Sequence, residues 1–207
     1  MNMRISILAL LFCSQLLWAE AATDKSWNFK VLINDREVGS HQFRVTGEGD
    51  SLSVSSTMNM DFKVLLVKKV RYQHQANETW QGSCLTDVSS QTNRQGKEVS
   101  LKVKPVETGL LVEKDQITEG AEVLAGCVRS FAYWDPQLLQ GERLLNVETG
   151  EYMPVAITSR VSAEDNITHM IIAAPKGDIH LQYDASGDWL SLQTKLQMGA
   201  VLKYQRT

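Results

Sequence analysis

Hydrophobic and polar side chains alternate along most of this chain. Between Trp27 and Ile33 every second residue is apolar, and mostly polar residues stand between them. A period of two is typical of a β-strand with one buried face and one solvated face. The pattern returns in about a dozen segments, which predicts an all-β domain built as an antiparallel meander. The predicted strands cover residues 27–33, 38–45, 52–60, 62–68, 70–80, 85–92, 99–103, 110–113, 151–161, 167–174, 179–183, 189–198 and 200–204.

Turn-forming residues separate these runs. Asn34-Asp35 stands between the first two strands, and turns that contain glycine follow at residues 47–50, 93–96, 176–178 and 185–188. Such residues connect the strands of hairpins. A long meander protects its edges by closing on itself or by folding one sheet over another. We expect closure into a barrel or half-barrel, with a sandwich as the alternative. A barrel of about ten or more strands leaves room for a ligand.

The segment 127–141 lacks the alternation. Asp135 followed by Pro136 is a helix-start signature, because the aspartate caps free amides and the proline has no amide to satisfy. Gly141 matches the usual stop residue. One short helical segment is therefore predicted near residues 128–141, attached to the sheet through Cys127.

Three aromatic residues lie in the same segment: Phe131, Tyr133 and Trp134. Aromatic side chains with a polar end are common at the boundary between water and an apolar cavity, which would make the cluster a mouth or lid. Large aromatic side chains also dominate protein cores, so the cluster could instead plug the end of the barrel. The second interpretation is favoured.

The first 21 residues have the organisation of a signal peptide. Arg4 precedes an apolar run over residues 5–17, and Ala19-Glu20-Ala21 supplies small residues at the two positions that a signal peptidase reads. The run is too short to span a bilayer as a helix, which argues against an uncleaved membrane anchor. We expect cleavage after Ala21, export to the bacterial periplasm, and a single domain over residues 22–207 without a transmembrane segment.

Export determines how the cysteines are interpreted. The mature chain would keep Cys84 and Cys127, and an even pair in an oxidising compartment is most simply a disulfide. Two buried free thiols are the alternative. Two thiolates alone cannot complete a zinc site, and we expect neither a metal nor another cofactor.

The sequence contains no recognised motif for catalysis or for nucleic-acid binding. The nucleophile elbow Gly-x-Ser-x-Gly, the phosphate-binding loop and the zinc motif His-Glu-x-x-His are missing, and Gly47-Glu48-Gly49 lacks the helix signal that a dinucleotide site requires. A net charge of −3 without a Lys/Arg cluster gives nucleic acid no electrostatic footprint. We therefore expect neither an enzyme nor a nucleic-acid-binding protein.

One group of ionisable residues could form a binding site. On the predicted strand 70–80, Tyr72, His74 and Glu78 share one face, and His41 on the second strand could join them. In an apolar interior these groups would have shifted pKa values and could fix the headgroup of a ligand. The favoured alternative is that they are core or rim residues that satisfy one another's hydrogen bonds. The candidate ligand contacts are His41, Tyr72, His74, Glu78, Tyr133 and Trp134.

Three stretches resemble a family of bacterial exported proteins that is described as a domain of unknown function. They are the opening hairpin from Trp27 to Val38-Gly39, the segment 80–96 with its Trp80 and Thr92-x-x-x-Gly96 signature, and the segment 131–150. The resemblance runs through most of the mature chain and implies a periplasmic β-rich fold, with no established activity or catalytic residue. In architecture alone the chain is also similar to lipocalins and periplasmic lipoprotein carriers, which hold acyl chains inside curved sheets.

Three functions are compatible with these observations. The leading hypothesis is a periplasmic binding or carrier protein that holds a hydrophobic or amphiphilic, lipid-like ligand inside a β-barrel. The second is a non-catalytic assembly or interaction protein of the cell envelope, which predicts a large exposed apolar patch. The third is an enzyme in which His74 and Glu78 act as an acid–base pair, and it requires hydrogen-bond reach between the catalytic groups. The oligomeric state does not follow from the sequence.

Overall fold

The computed structural model is built almost entirely from antiparallel β-strands, which confirms the fold class. It describes residues 22–64, 68–115, 121–196 and 199–207, so the predicted signal peptide lies outside the described residues. The first strands are β1 (Ala22–Ile33), β2 (Arg36–Glu48), β3 (Ser51–Val64), β4 (Lys68–Gln81), β5 (Cys84–Arg94), β6 (Lys97–Val106), β7 (Gly109–Lys114) and β8 (Glu122–Leu124). The later strands are β9 (Arg143–Leu145), β10 (Tyr152–Pro154), β11 (Ala156–Val161), β12 (Thr168–Ala173), β13 (Ile179–Tyr183), β14 (Trp189–Lys195) and β15 (Val201–Arg206).

Thirteen of these strands form one sheet, in the order β11-β12-β13-β14-β15-β1-β2-β3-β4-β5-β6-β7-β8. Strand β1, the first strand in the described chain, therefore pairs with both β2 and the last strand, β15. We call β1 to β8 the first arm and β11 to β15 the second arm. The edges are β8 and β11, and no ladder joins them among the described residues, so the barrel-like sheet stays open.

The alternation in the sequence explains which face of the sheet is buried. Trp27, Phe29 and Val31 are almost fully buried, and the polar residues between them point to solvent. On the opposite arm, Tyr183 and Trp189 are completely buried. The side chains of both arms therefore converge on one core under the concave face of the sheet.

Two local features of the first hairpin follow from its residue types. Asn34 and Asp35 both have positive φ angles, of 49° and 62°, as a two-residue hairpin turn requires. A bulge then inserts Val38, since Val31 pairs with Gly39 but Leu32 pairs with Glu37. A Cβ at Gly39 would lie 1.9 Å from the carbonyl oxygen of Asn59, so the backbones approach too closely for any side chain.

The segment 125–155 fills the concave face of the sheet, and the helix predicted near residues 128–141 is wrong. Ser130, Ala132 and Trp134 are buried at every second position, which is an extended pattern. Two turns follow, in which the Asp135 amide donates to the Ala132 carbonyl and the Leu138 amide donates to the Asp135 carbonyl. Asp135 does cap an amide, that of Gln137 at 2.8 Å, but the chain then turns instead of coiling.

This inserted segment is attached to both arms. The Cys84–Cys127 disulfide, predicted from the cysteine pair, joins its start to β5. The Ser90 hydroxyl of β5 donates to the Val147 carbonyl at 2.5 Å. From the second arm, the Tyr183 hydroxyl donates to the carbonyl of Tyr133 at 2.9 Å. The two arms therefore wrap around the inserted segment.

Small side chains on the sheet make room for the insertion. Ser56, Ala76 and Ser90 are neighbours on three adjacent strands, and all three are buried. A larger residue at these positions would occupy the space that the inserted segment takes. The strand predicted over residues 151–161 is correspondingly divided, because β10 pairs with β9 inside the insertion while β11 belongs to the large sheet.

Candidate functional site

One row of inward side chains crosses five neighbouring strands of the first arm. The ladders place His41 opposite Met58, Met58 opposite His74, and His74 opposite Thr92. Both histidines are buried, and His74 disfavours a positive charge on His41. The structure therefore places two of the four ionisable residues of the predicted group, His41 and His74, in one row. The row consists of Phe29, His41, Met58, His74 and Thr92.

Two aromatic residues, Phe43 and Tyr204, pack against the ring of His41. Its Nδ1 lies 2.9 Å from the hydroxyl of Tyr204, and its ring lies 4.0 Å from that of Phe43. The Tyr204 hydroxyl also lies 3.9 Å from the sulfur of Met58. The tautomer of the His41 ring decides which partner of the Nδ1–Tyr204 hydrogen bond is the donor, and with it whether Nε2 is a donor or an acceptor. This Nε2 atom is buried and has no hydrogen-bond partner among the described residues.

Both histidines are neutral at neutral pH. Burial, together with a smaller electrostatic contribution from His74, lowers the pKa of His41 to about 3. Burial also lowers the pKa of His74, against the opposing attraction of the Glu148 carboxylate. His74 Nδ1 lies 2.8 Å from the Thr92 hydroxyl, which holds its ring in place. The pair can therefore exchange hydrogen bonds with a ligand without carrying charge.

An ion pair lies beside this row at the edge of the inserted segment. Arg94 donates to the carboxylate of Glu148 at 2.6 Å, and its guanidinium lies 5.5 Å from the ring centre of Tyr72. Burial raises the pKa of Tyr72, and the neighbouring Glu148 carboxylate raises it further. A cleft of about 600 Å³ opens here, lined by Thr92, Arg94, Lys97, Val99, Lys114, Asp115, Glu148, Thr149 and Glu151.

Glu78 belongs to a different part of the core. It lies on the same strand as His74 but four residues away, a separation of about 13 Å at the rise of a β-strand. Its neighbours across the ladders are Val54 and Val88, and the Ser130 hydroxyl donates to its carboxylate at 2.7 Å. Burial raises the pKa of Glu78 to about 7. His74 and Glu78 therefore do not have the geometry of an acid–base pair.

Of the aromatic side chains in the segment 131–134, one is buried in the core and two are half-buried. Trp134 is buried, with its ring 5.9 Å from that of Trp80, as the plug interpretation predicts. Tyr133 is half-buried and lies 5.8 Å from the ring of Trp189. Burial raises the pKa of Tyr133, so its hydroxyl stays protonated. Phe131 is also half-buried and packs at 6.0 Å from Tyr133.

Sequence reasoning missed Tyr204, Met58 and Thr92 as partners of the histidines. Tyr204 is separated from His41 by 163 positions and reaches it only because β15 pairs with β1. Nothing in strand parity indicates that pairing. Thr92 carried a signal, since it lies on the same face of its hairpin as His74, within the Thr92-x-x-x-Gly96 motif.

The described residues carry neither a metal cluster nor a membrane-spanning helix. No group of three or more His, Cys, Asp or Glu side chains that could hold a metal ion occurs among them. Within the same residues, no helix is long and apolar enough to cross a membrane.

Comparison with known proteins agrees with the fold. The model of a family described as a domain of unknown function, DUF6134, matches residues 29–207. A crystal structure of a beta-barrel-like protein of domain of unknown function DUF1849, from Brucella abortus, is similar with a TM-score of 0.61. The alignment covers 89% of this chain and 95% of that chain at 9% identity, so the likeness shows the fold alone. None of the curated proteins matches the chain.

Proposed function

The chain belongs to the DUF6134 family, a domain of unknown function, and from its own geometry we propose that it binds or carries an amphiphilic, lipid-like ligand in the periplasm. The ligand lies at one end of the half-barrel, with its apolar part on the ends of the strands and its polar headgroup directed at the His41 row. The protein acts without catalysis.

The observation that carries the proposal is an apolar rim directly beside the buried polar row. Cross-strand pairing aligns Ile157 with Ile172, Ile172 with Ile179, and Leu202 with Ile33, while Thr194 stands between Ile179 and Leu202. Ile172 and Leu202 are buried, and the others are half-buried. The apolar rim consists of Ile157, Ile172, Ile179, Leu202 and Ile33.

The rim and the polar row are one step apart on the strands. Leu202 and Tyr204 are successive inward residues of β15, so their Cα atoms are separated by about 7 Å. Tyr204 contacts His41, whose buried Nε2 has no hydrogen-bond partner among the described residues. A hydroxyl group on a ligand, which both donates and accepts, would satisfy this atom in either tautomer and offset its desolvation. An apolar chain on the rim would at the same time remove half-exposed isoleucine surface from water.

The inserted segment limits where the ligand can lie. Because Trp134, Leu144 and Leu145 are buried beneath the sheet, the middle of the concave face is occupied by the protein's own side chains. The ligand is therefore held at the open end of the half-barrel instead of being enclosed by it. The cleft at Arg94 and Glu148 gives a charged headgroup a polar approach to the same row.

Two further observations support the compartment and the lack of catalysis. The Cys84–Cys127 disulfide is typical of proteins that reside in an oxidising environment. The separation of His74 from Glu78 removes the acid–base pair on which the enzyme hypothesis depended. These observations favour an exported binding protein over an exported enzyme.

Native mass spectrometry tests the proposal directly. The full chain is exported to a bacterial periplasm, purified without detergent and sprayed from a volatile buffer. We expect a reproducible adduct in the mass range of a lipid, which is released when the protein is denatured. A protein that carries no adduct, and that takes up none from mixed phospholipid vesicles, would contradict the proposal and favour an interaction protein of the cell envelope.

A pair of variants then locates the ligand. Ile33→Ser together with Ile179→Ser makes two half-buried positions of the apolar rim polar. We expect this variant to lose the adduct while keeping the wild-type circular dichroism spectrum. Val123→Ser is the matched control, because Val123 is an exposed apolar residue on the edge strand β8. Equal loss of the adduct in both variants would place the ligand elsewhere.

A further inference from the structure

The outer face of the second arm carries a cleft that the proposed function does not use. It has a volume of about 410 Å³ and lies across β11 to β14, on the side opposite the core. Its polar lining comes from two rows of cross-strand neighbours. Its lining includes Arg160, His169, Ile171, His180, Gln182 and Ser191.

The ladders bring the basic and amide side chains of this cleft side by side. Arg160 pairs with His169, which in turn pairs with Gln182. His180 lies two residues before Gln182 on the same face, so it is the diagonal neighbour of His169. The Ser191 hydroxyl donates to the amide oxygen of Gln182 at 2.7 Å, which leaves the amide nitrogen to donate into the cleft.

Acidic side chains are missing from both rows of this face. The rows contain Arg160, His169, Gln182, Ser191 and Gln205, and Thr158, Ile171, His180, Gln193 and Lys203. Lys203 is engaged by the carboxylate of Asp35. Asp165, in the turn before β12, acts electrostatically on His169 from outside the rows.

Arg160 is the arginine of this cleft, and its guanidinium has no acidic partner among the described residues. In the part of the chain that the structure describes, its guanidinium makes neither a hydrogen bond nor an ion pair, and the residue is exposed. Elsewhere on the outer face, Arg44 is paired with Asp24 and Arg71 with Asp61. Because no carboxylate neutralises the Arg160 guanidinium, this cation is available to an external anion that enters the cleft.

We propose that this outer cleft binds a phosphate group. The guanidinium of Arg160 provides a planar pair of donors that matches two phosphate oxygens, and the ring nitrogens of His169 and His180 and the Gln182 amide supply further donors. Ile171, which is 36% exposed, offers apolar contact to the group that carries the phosphate. The phosphate is either free or part of a phospholipid headgroup.

The first experiment titrates inorganic phosphate into isotopically labelled protein and follows the amide resonances. Sodium chloride at matched ionic strength is the reference. We expect saturable shifts that are confined to β11 to β14, and an affinity at least about tenfold weaker in Arg160→Gln, since a charge-assisted bidentate contact is lost. Lys102→Gln, which removes one positive charge from the outer face of the first arm, should leave the affinity unchanged.

The second experiment distinguishes the two sources of phosphate. The protein is sedimented with vesicles of phosphatidylglycerol or of phosphatidylcholine, each with and without added inorganic phosphate. Retention on the anionic vesicles that Arg160→Gln abolishes would identify a lipid headgroup, whereas saturable shifts without retention would identify free phosphate. Because Arg160 is exposed, the variant should fold, and a thermal unfolding curve verifies this. Shifts spread evenly over the surface, or equal affinity in wild type and Arg160→Gln, would overturn the proposal.

Discussion

Glu78 is a buried carboxyl that connects the sheet to the inserted segment. Its carboxylate accepts a hydrogen bond from Ser130, and burial raises its pKa to about 7 from an ordinary value of 4.5. The folded state therefore holds the proton more tightly than the unfolded chain does. This contribution to stability is fully present below about pH 4.5 and is lost as the pH rises through about 7.

Replacing Glu78 by glutamine should remove this pH dependence. The amide keeps the shape of the protonated carboxyl and cannot ionise. Wild type should lose stability as the pH rises from 5 to 8, whereas Glu78→Gln should not. The free energy of unfolding of the variant, relative to that of wild type, should therefore rise by about 2–3 kcal/mol over this range. Urea unfolding at the two pH values measures the difference. Glu37→Gln, at an exposed ion pair, is the control, and a gain for Glu78→Gln that does not change with pH would contradict the assignment.

His41 produces the opposite dependence. Burial lowers its pKa to about 3 from 6.5, so the unfolded chain binds the proton more tightly than the folded protein. Its contribution is present above about pH 6.5 and is lost as the pH falls towards 3. In the wild type this loss partly cancels the gain from Glu78 over the same range, which is why each group must be examined in its own variant.

The variant His41→Gln isolates that second effect. Glutamine cannot be protonated. When the pH falls from 7.5 to 5, the free energy of unfolding of the variant should therefore rise by about 2 kcal/mol relative to that of wild type. The free energy of unfolding from urea titrations at both values provides the measurement. His180→Gln, on the exposed outer face, is the matched substitution. An equal change in the free energy of unfolding between the two pH values in His41→Gln and in wild type would show that His41 does not contribute.

At the scale of elements, period-two alternation predicts nearly all of the large sheet. It succeeds because each strand has one face on the core and one face in water, as the pattern of Trp27, Phe29 and Val31 illustrates. The inserted segment could not be predicted in the same way, because its conformation depends on the space left by Ser56, Ala76 and Ser90 on other strands. Asp135 caps an amide, as its position before Pro136 predicts, but no helix follows. The residues before it, from Ser130 to Trp134, are extended, since every second side chain is buried.

The candidate site was predictable only in part, for a related reason. Strand parity places His41, His74 and Glu78 on the inner face, and all three do point inward. Parity says nothing about position along the strand, which separates Glu78 from the histidines. It also cannot reveal that the pairing of β15 with β1 brings Tyr204 to His41.

The disulfide should stabilise the inserted segment more than any other single contact. The cysteines are separated by 43 positions, and closing a loop of that size is worth about 4 kcal/mol in the chain-entropy model. We expect Cys84→Ala with Cys127→Ala to lower the free energy of unfolding by about 2–4 kcal/mol and to speed amide exchange at Leu85, whose amide donates to the Val128 carbonyl. An unchanged stability in the double variant would contradict this role.

At the scale of the whole molecule, the core belongs to both arms at once. The strand β1 pairs with the last strand, β15, so the first and last strands of the described chain are neighbours in the middle of the sheet. The inserted segment then contacts Glu78 and Ser90 on one arm and Tyr183 on the other. Neither arm can bury its inner face without the segment, which predicts a single cooperative unfolding unit in spite of the open edges.

Trp134 is the residue at which this cooperativity can be tested. It is buried in the inserted segment, against Trp80 of the first arm, and Pro136 two residues later approaches the Gly187 turn of the second arm. Trp134→Ala should cost about 3–5 kcal/mol, as large core truncations do, and should lower amide protection by the same free energy in β4 and in β13. Trp134→Phe, which keeps an aromatic ring in place, should produce a smaller loss with the same distribution. Native-state hydrogen exchange measures both variants strand by strand. A loss of protection confined to the first arm would mean that the segment packs on one arm alone, and that the half-barrel is two structural units joined only by the β1–β15 ladder.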